Sequence, residues 1–286
     1  MQWEVGKEES GIKLLAFLKS KMDGYSAKQL TKLVEENCCT VNHRLERFAS
    51  HHLGTGDKVK LEIPKYKSAE KDIERVLFED EDLLIYNKPA GVPSDHPEFI
   101  KKIKKNLPFL ALVHRLDRDT TGVLIFVKNE IAYNQLLELF KKRIIKKSYL
   151  AIVDGCPKQD HGIIDNYLGV LVRYQGQAKY GKTKKDGLHA ITEWISLKKG
   201  SQASLLRCFP KTGRTHQIRV HLSEMGHPIL GDFHYSQTFA CSYRPQRSLL
   251  HAESVEFPHP RTDEILKVEA PMPEDFEEAM NVLFEK

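Results

Sequence analysis

Residues 112–127 read Leu112-Val-His-Arg-Leu-Asp-Arg-Asp-Thr-Thr-Gly-Val-Leu-Ile-Phe-Val127, and the fold turns on how this stretch is parsed. Val123 to Val127 is an unbroken apolar, β-branched run, the composition of a buried strand. Thr120, Thr121 and Gly122 are turn formers, so the residues ahead of the run are predicted to be a loop feeding a rigid strand. That loop carries two guanidiniums, Arg115 and Arg118, and two carboxylates, Asp117 and Asp119. Charge clusters on loops are most often solvated ion pairs worth little. This one is wedged between Leu112-Val113 and a core strand, where charges must be kept paired. A loop held by a scaffold is also where reactive groups are displayed.

Composition narrows the class. With 286 residues, 41% hydrophobic and 29% charged, the chain has material for one large domain and a small one. A net charge of +5 leans toward a polyanionic partner. No apolar run approaches the roughly 20 residues that a membrane span needs, and the acidic start lacks the apolar core of a signal peptide. Five scattered cysteines without a Cys-x-x-Cys support neither a zinc ribbon nor a disulfide framework. A cytoplasmic protein is expected.

Along the chain, Leu14, Leu15, Phe17, Leu18 and Met22 outline a first helix. Ser26-Ala-Lys-Gln29 is a capping box opening a second, with Leu30, Leu33 and Val34 inward. Cys39-Thr-Val-Asn-His-Arg-Leu45 is predicted to be a hairpin turning at Asn42-His43, and residues 54–63 a turn and a strand. The polar residues 64–72 read as a linker. Val76-Leu-Phe78 and Leu83-Leu-Ile-Tyr86 then pair as strands, Asn87-Lys-Pro-Ala-Gly-Val-Pro93 forms a loop, and Lys101-Lys-Ile-Lys-Lys105 is a solvated basic run. Asn129 caps a helix over residues 130–142. Ser148-Tyr-Leu-Ala-Ile-Val153 is a strand, residues 171–187 a mobile loop, and residues 189–197 and 204–209 strands.

A second informative stretch is Lys211-Thr-Gly-Arg-Thr-His-Gln-Ile-Arg-Val-His-Leu-Ser-Glu-Met-Gly226. Ile218, Leu222 and Met225 fit the buried face of a short helix ending at Gly226. Lys211, Arg214 and Arg219 gather near its N-terminal end, where unpaired backbone N–H groups attract anions. His216 and His221 are five apart and point in different directions on a helix, so they make no zinc pair. Taken alone, Arg219 reads equally well as a surface cation.

His114-Arg-Leu-Asp-Arg-Asp-Thr-Thr-Gly122 resembles the signature of the RluA-like family of RNA pseudouridine synthases, with Thr121 keeping the hydroxyl of the usual serine. Thr212-Gly-Arg-Thr-His-Gln-Ile-Arg219 resembles a further motif of that family, and shorter segments extend the resemblance over about residues 73–280. It implies that Asp117 is the catalytic carboxylate and that Arg219 pairs with it. It also implies that Tyr149 stands beside the base and removes a proton from C5, and that Arg115 contacts RNA. Lys211, Arg214 and His216 are then expected beside the substrate, while Asp119, at a variable position, is given no role. The first sixty-odd residues resemble an S4-type RNA-binding domain, with His43 in place of the usual turn glycine. Lys32 and Arg44 would then face RNA; the alternative is an ordinary solvated face.

The chemistry so implied breaks the C1′–N1 bond of a uridine, turns the base over and joins C5 to C1′. The base must leave its stack first. An aspartate, titrating near ~3.9 when free, stays ionised for this work, and a paired guanidinium holds it charged and aimed. The expectation is therefore an α+β protein: an S4-like domain (1–63), a linker (64–72) and a catalytic domain (73–286) built on a largely antiparallel or mixed sheet. It would act as a monomer, without cofactor or metal, on large-subunit ribosomal RNA. Alternatives are a tRNA-directed synthase and a non-catalytic S4-bearing ribosome-assembly protein. A glycoside hydrolase is disfavoured, because its two acids usually come from separate elements.

Overall fold

The computed structural model describes residues 1–35, 38–46, 48–61, 75–104, 107–174, 177–184, 186–236 and 238–285, without the side chains of residues 28, 32, 35, 44, 45, 174 and 177. The chain divides into two compact units, Met1–Ser68 and Ala69–Lys286. The expected linker, 64–72, lies outside the described residues.

In the first unit, β1 (Gln2–Glu4), β2 (Cys39–Val41), β3 (Arg44–Leu45) and β4 (Lys58–Leu61) form an antiparallel sheet in the order β1-β4-β2-β3. Helices α1 (Leu14–Lys21) and α2 (Ala27–Glu35) supply Leu14, Phe17, Leu18, Leu30 and Val34 to a core shared with Val59 and Leu61. The capping box forms as the sequence predicts: the Ser26 N–H donates to Gln29 Oε1 at 2.8 Å and the Gln29 N–H to Ser26 Oγ at 3.3 Å. Asn42 and His43 adopt φ of 52° and 63°, the paired left-handed conformation of a tight hairpin turn. Strand β1 had no periodic signal; three residues are too few to show one, and its partner β4 lies far along the chain.

In the second unit the strands are β5 (Val76–Glu79), β6 (Leu83–Lys88), β7 (Ala111–Leu112), β8 (Thr121–Val127), β9 (Lys146–Asp154), β10 (His161–Tyr174), β11 (Gln177–Lys182), β12 (Leu188–Lys199), β13 (Ala203–Pro210), β14 (Leu250–Pro258) and β15 (Ile265–Glu269). Among the described residues they make one eleven-stranded sheet in the order β11-β10-β12-β13-β9-β14-β8-β6-β5, with β7 on β8 and β15 on β14. Only the β14–β8 pair is parallel among these, so the α+β class with a mixed, mostly antiparallel sheet stands. Helices α3 (Pro97–Lys104), α4 (Glu130–Lys141), α5 (Gln217–Glu224) and α6 (Glu274–Phe284) flank it.

Strand β8 is buried at every position because its two faces enter different cores. Val123, Ile125 and Val127 pack with Ala132 and Leu136 of α4, while Leu124 and Phe126 pack with Phe99 and Ile103 of α3. Burial on both faces is what an uninterrupted apolar run encodes. Asn129 caps α4, its Oδ1 accepting from the Ala132 N–H at 2.8 Å.

Two expectations are corrected, and the solvated basic run takes its place in a helix. Residues 171–187 are not a mobile loop: most belong to the β10–β11 hairpin, antiparallel from the Leu168–Lys182 pair outward. The hairpin lies at the edge of the sheet, so Leu171 and Val172 are exposed and no inward-facing alternation marks it. The basic run 101–105 lies largely in α3, whose Phe99 and Ile103 are buried while Lys101 and Lys102 face water. Lys88 is not in a loop but ends β6.

Gly122 joins the loop to β8 with φ +106°, and a Cβ there would sit 2.1 Å from the Ala252 carbonyl oxygen on β14. Backbone cannot yield as a side-chain tip can. Gly122→Ala is expected to destabilise the protein by about 3 kcal/mol or more. A melting temperature unchanged from wild type would contradict this.

Candidate active site

The loop before β8 is anchored carbonyl by carbonyl. Ser94 Oγ donates to the Leu116 carbonyl and accepts from the Leu116 N–H, both at 2.9 Å. The Thr120 N–H donates to the Asp117 carbonyl at 3.1 Å. The Arg118 carbonyl accepts from the Gly91 N–H and from Lys88 Nζ, each at 2.9 Å. Arg247 Nη1 donates to the Asp119 carbonyl at 3.1 Å. Lys88 is wholly buried, and its ammonium also reaches the Pro89 and Val92 carbonyls at 2.8 and 2.9 Å. Burial pulls its pKa down to about 7 against the charges of Asp119 and Asp117. Three carbonyl partners match the three N–H bonds of an ammonium. The Thr121 hydroxyl bonds His251 Nδ1 at 2.9 Å, which is why a hydroxyl at this position is enough.

The side chain on this loop that meets α5 is Asp117. Arg219 Nη1 donates to its Oδ2 at 3.0 Å. The other side of the same guanidinium is held by Asp232, with Nε on Oδ2 at 2.6 Å and Nη2 on Oδ1 at 2.9 Å. Arg219 is 9% exposed and Asp232 1%. Burial opposes the charge on Arg219, but the Asp232 and Asp117 carboxylates outweigh it and hold the guanidinium firmly protonated. The Tyr235 ring lies against that guanidinium, 5.1 Å from centroid to Cζ. The result is a carboxylate aimed from one side by a fixed cation, its other oxygen facing His216 Nε2 at 3.9 Å.

Tyr149 on β9 packs beside this pair, and burial, reinforced by the Asp117 charge, raises its pKa. Its hydroxyl has no hydrogen-bond partner among the described residues. Lys147, on the same strand and lining the same narrow pocket as Tyr149 and His114, is drawn down to about 8 by burial. The site thus brings together a carboxylate, a guanidinium and a phenol. That set can hold an anionic reactant, orient a planar base and accept or return a proton.

Three histidines of this unit are neutral for the same cause. Burial lowers His114 to about 3, His216 to about 4 and His221 to about 4. Each folded-state pKa lies below the unfolded value near ~6.5, so the unfolded chain binds protons that the native state refuses. Stability is therefore complete above that value and falls as the pH drops toward 4, by at most about 1.4 kcal/mol per pH unit for each ring. Urea unfolding at pH 7.5 and 5.0 should show a clear loss at the lower pH; equal midpoints would refute it.

The remaining predicted residues divide. His216 joins the site, its Nε2 3.9 Å from Asp117 Oδ1. Arg214 lies on the same segment but spends its Nε on the His189 carbonyl at 3.0 Å. Lys211 pairs with Glu193 on β12 at 2.6 Å. Arg115 is not buried with its neighbours: it is exposed and paired with Asp95 at 2.8 Å. Lys32 and Arg44 fall in α2 and β3, but their side chains lie outside what is described. Sequence reasoning missed Asp232, Lys88, Ser94, Tyr235 and Arg247. Lys88 and Asp232 left a trace, a lone charge adjoining an apolar run. Among the described residues one group could crowd a metal, Asp80, Asp82 and His259. There Arg261 already spans both Asp82 oxygens and His259 bonds Asp80.

A buried guanidinium aims one aspartate on a mixed sheet flanked by helices, and comparison with known proteins gives the class of enzyme. Residues 82–224, which hold Asp117, Tyr149 and Arg219, match the model of the RNA pseudouridylate synthase family. An RNA pseudouridine synthase of Synechocystis is 32% identical over 94% of this chain and 88% of its own length. A ribosomal large subunit pseudouridine synthase C of Buchnera aphidicola is 31% identical over 98% of this chain and 96% of its own. Human RNA pseudouridylate synthase domain containing 4 superposes with a TM-score of 0.61 at 26% identity, over 74% of this chain and 94% of that one. The chain belongs to the RNA pseudouridylate synthase family and is an enzyme that isomerises uridine in RNA. No described helix is long and apolar enough to cross a membrane.

Proposed function

We propose that the protein converts specific uridines of large-subunit ribosomal RNA to pseudouridine, with Asp117 as the reacting carboxylate. The observation that carries this reading is the Asp117–Arg219 contact at 3.0 Å, with Arg219 locked behind it by Asp232. Asp117 acts at the ribose while the C1′–N1 bond breaks, the freed uracil turns over, and C5 bonds to C1′. Arg219 keeps Asp117 ionised and aimed. Tyr149 packs against the base and receives the C5 proton. Its phenol is held protonated by burial and by the Asp117 charge, so it takes the C5 proton only as its own hydroxyl proton passes on to solvent. Only side chains and the RNA itself take part, and one chain supplies every group named.

The ribosomal target follows from the relative from Buchnera, named for the ribosomal large subunit and aligned over 96% of its length. The first unit acts as the S4-like RNA-binding domain, with Lys32 and Arg44 among the residues that bind RNA. Its two helices and its hairpin turn at Asn42-His43 support that role. Arg115, Lys211, Arg214 and His216 extend the RNA-facing surface around the Asp117 loop. The work is placed in the cytoplasm, with the ribosomes.

Position-resolved pseudouridine mapping of total RNA tests this, comparing cells with the wild-type protein, without it, and with Asp117→Ala. Loss of defined ribosomal sites in both deficient samples is expected. Loss confined to tRNA would move the target, and no loss at all would favour an RNA-binding protein without this activity.

A further inference from the structure

The His216 ring bridges two groups. Its Nδ1 lies 2.7 Å from the Tyr235 hydroxyl, and its Nε2 faces Asp117 Oδ1 at 3.9 Å. A third group decides which way the first bond points. The backbone N–H of Tyr180, on β11, lies 3.4 Å from the same hydroxyl, and an amide N–H only donates. The hydroxyl oxygen thus accepts from Tyr180, and among the described residues His216 Nδ1 is the acceptor within reach of its hydrogen. An imidazole that accepts at Nδ1 carries its proton on Nε2. Burial, with Arg219 nearby, keeps the ring neutral, so that single tautomer persists at pH 7. His216 therefore presents an N–H to the cleft beside the Asp117 carboxylate. It does so from φ 57° and ψ 18°, a left-handed backbone that most side chains disfavour and histidine tolerates better than most, at the residue that caps α5.

A separation of 3.9 Å is too long for a direct hydrogen bond and leaves place for one bridging atom. That atom must accept from Nε2–H and donate to a carboxylate. A uracil carbonyl only accepts and the uracil N3–H only donates; a hydroxyl does both. In a uridine nucleotide the hydroxyl beside C1′ is the ribose 2′-OH, a group that also separates RNA from DNA. We propose that His216, in the tautomer set by Tyr235, binds the 2′-hydroxyl of the target uridine between its Nε2–H and Asp117, making this contact a determinant of ribose over deoxyribose. The proposal rests on the Asp117 reading above.

The test uses an RNA oligonucleotide spanning the mapped uridine and the same oligonucleotide carrying 2′-deoxyuridine there. His216→Leu and His216→Gln meet the same left-handed backbone, but only glutamine keeps an N–H donor, and Tyr235→Phe leaves that backbone untouched. Dissociation constants and single-turnover rates are read for each. His216→Leu should weaken binding of the uridine oligonucleotide about tenfold, with His216→Gln recovering part of the loss. Tyr235→Phe should give a smaller loss on the same oligonucleotide. The deoxyuridine oligonucleotide should bind wild type and His216→Leu alike. Equal weakening of both oligonucleotides by His216→Leu, or of neither, overturns the proposal. Asp117→Asn in the same assay shows separately whether the Asp117 reading holds.

Discussion

Asp117→Asn is expected to reduce pseudouridine formation by about a thousandfold or more while leaving the protein folded. The amide has the shape of the carboxylate and its oxygen can still accept from Arg219 Nη1, now at 3.0 Å from Oδ2. It lacks the charge and basicity needed at the ribose. Folding is protected because Arg219 does not depend on Asp117 for neutralisation: Asp232 already takes its other two donor groups. The loop backbone is held independently by Lys88, Ser94 and Arg247. Thermal unfolding should thus stay within about 1 kcal/mol of wild type. Single-turnover conversion within tenfold of wild type would remove Asp117 from the chemistry. A collapse in stability would instead show that the carboxylate is structural.

The opposite separation is expected behind it. Asp232→Ala leaves a guanidinium, 9% exposed, with its two strongest hydrogen bonds unmade. Removing one partner of a buried pair costs about 3–5 kcal/mol, and the lower end, about 3 kcal/mol, is expected here because Asp117 remains as a counter-charge on Nη1 at 3.0 Å. For a protein of this size that lowers the melting temperature by about 10 °C. Activity falls with it, since Arg219 loses its aim at Asp117. Replacing both partners with apolar residues, Arg219→Met with Asp232→Leu, should restore much of the stability, because no buried charge is stranded, yet restore no activity. The melting temperatures of the single and double variants decide this. A double variant no more stable than Asp232→Ala would mean that the pair is not the source of the loss.

These two expectations fall on either side of a line between local and distant information. The strand at residues 123–127, the capping box at Ser26 and the N-cap at Asn129 were legible because each rests on neighbours within one turn or one strand. Asp117 and Arg219 were legible too, through motifs whose residue order is distinctive. The β10–β11 hairpin was not, because its strands lie at a sheet edge and carry exposed Leu171 and Val172 rather than an alternating face. Arg115 was grouped with Asp117 by adjacency, yet the backbone turns it outward to Asp95.

By itself, then, the sequence determined the α+β class, the core strand, the helix starts and the two residues that meet at 3.0 Å. Only the tertiary structure decided that Asp232, and not the neighbouring Asp119, clamps Arg219. It alone decided that Lys88 holds the loop from inside the sheet and that Tyr235 orients His216. The reason is physical. Periodicity and caps are satisfied within a few residues, but a buried charge takes whichever partner the packing of separate elements brings within hydrogen-bond reach.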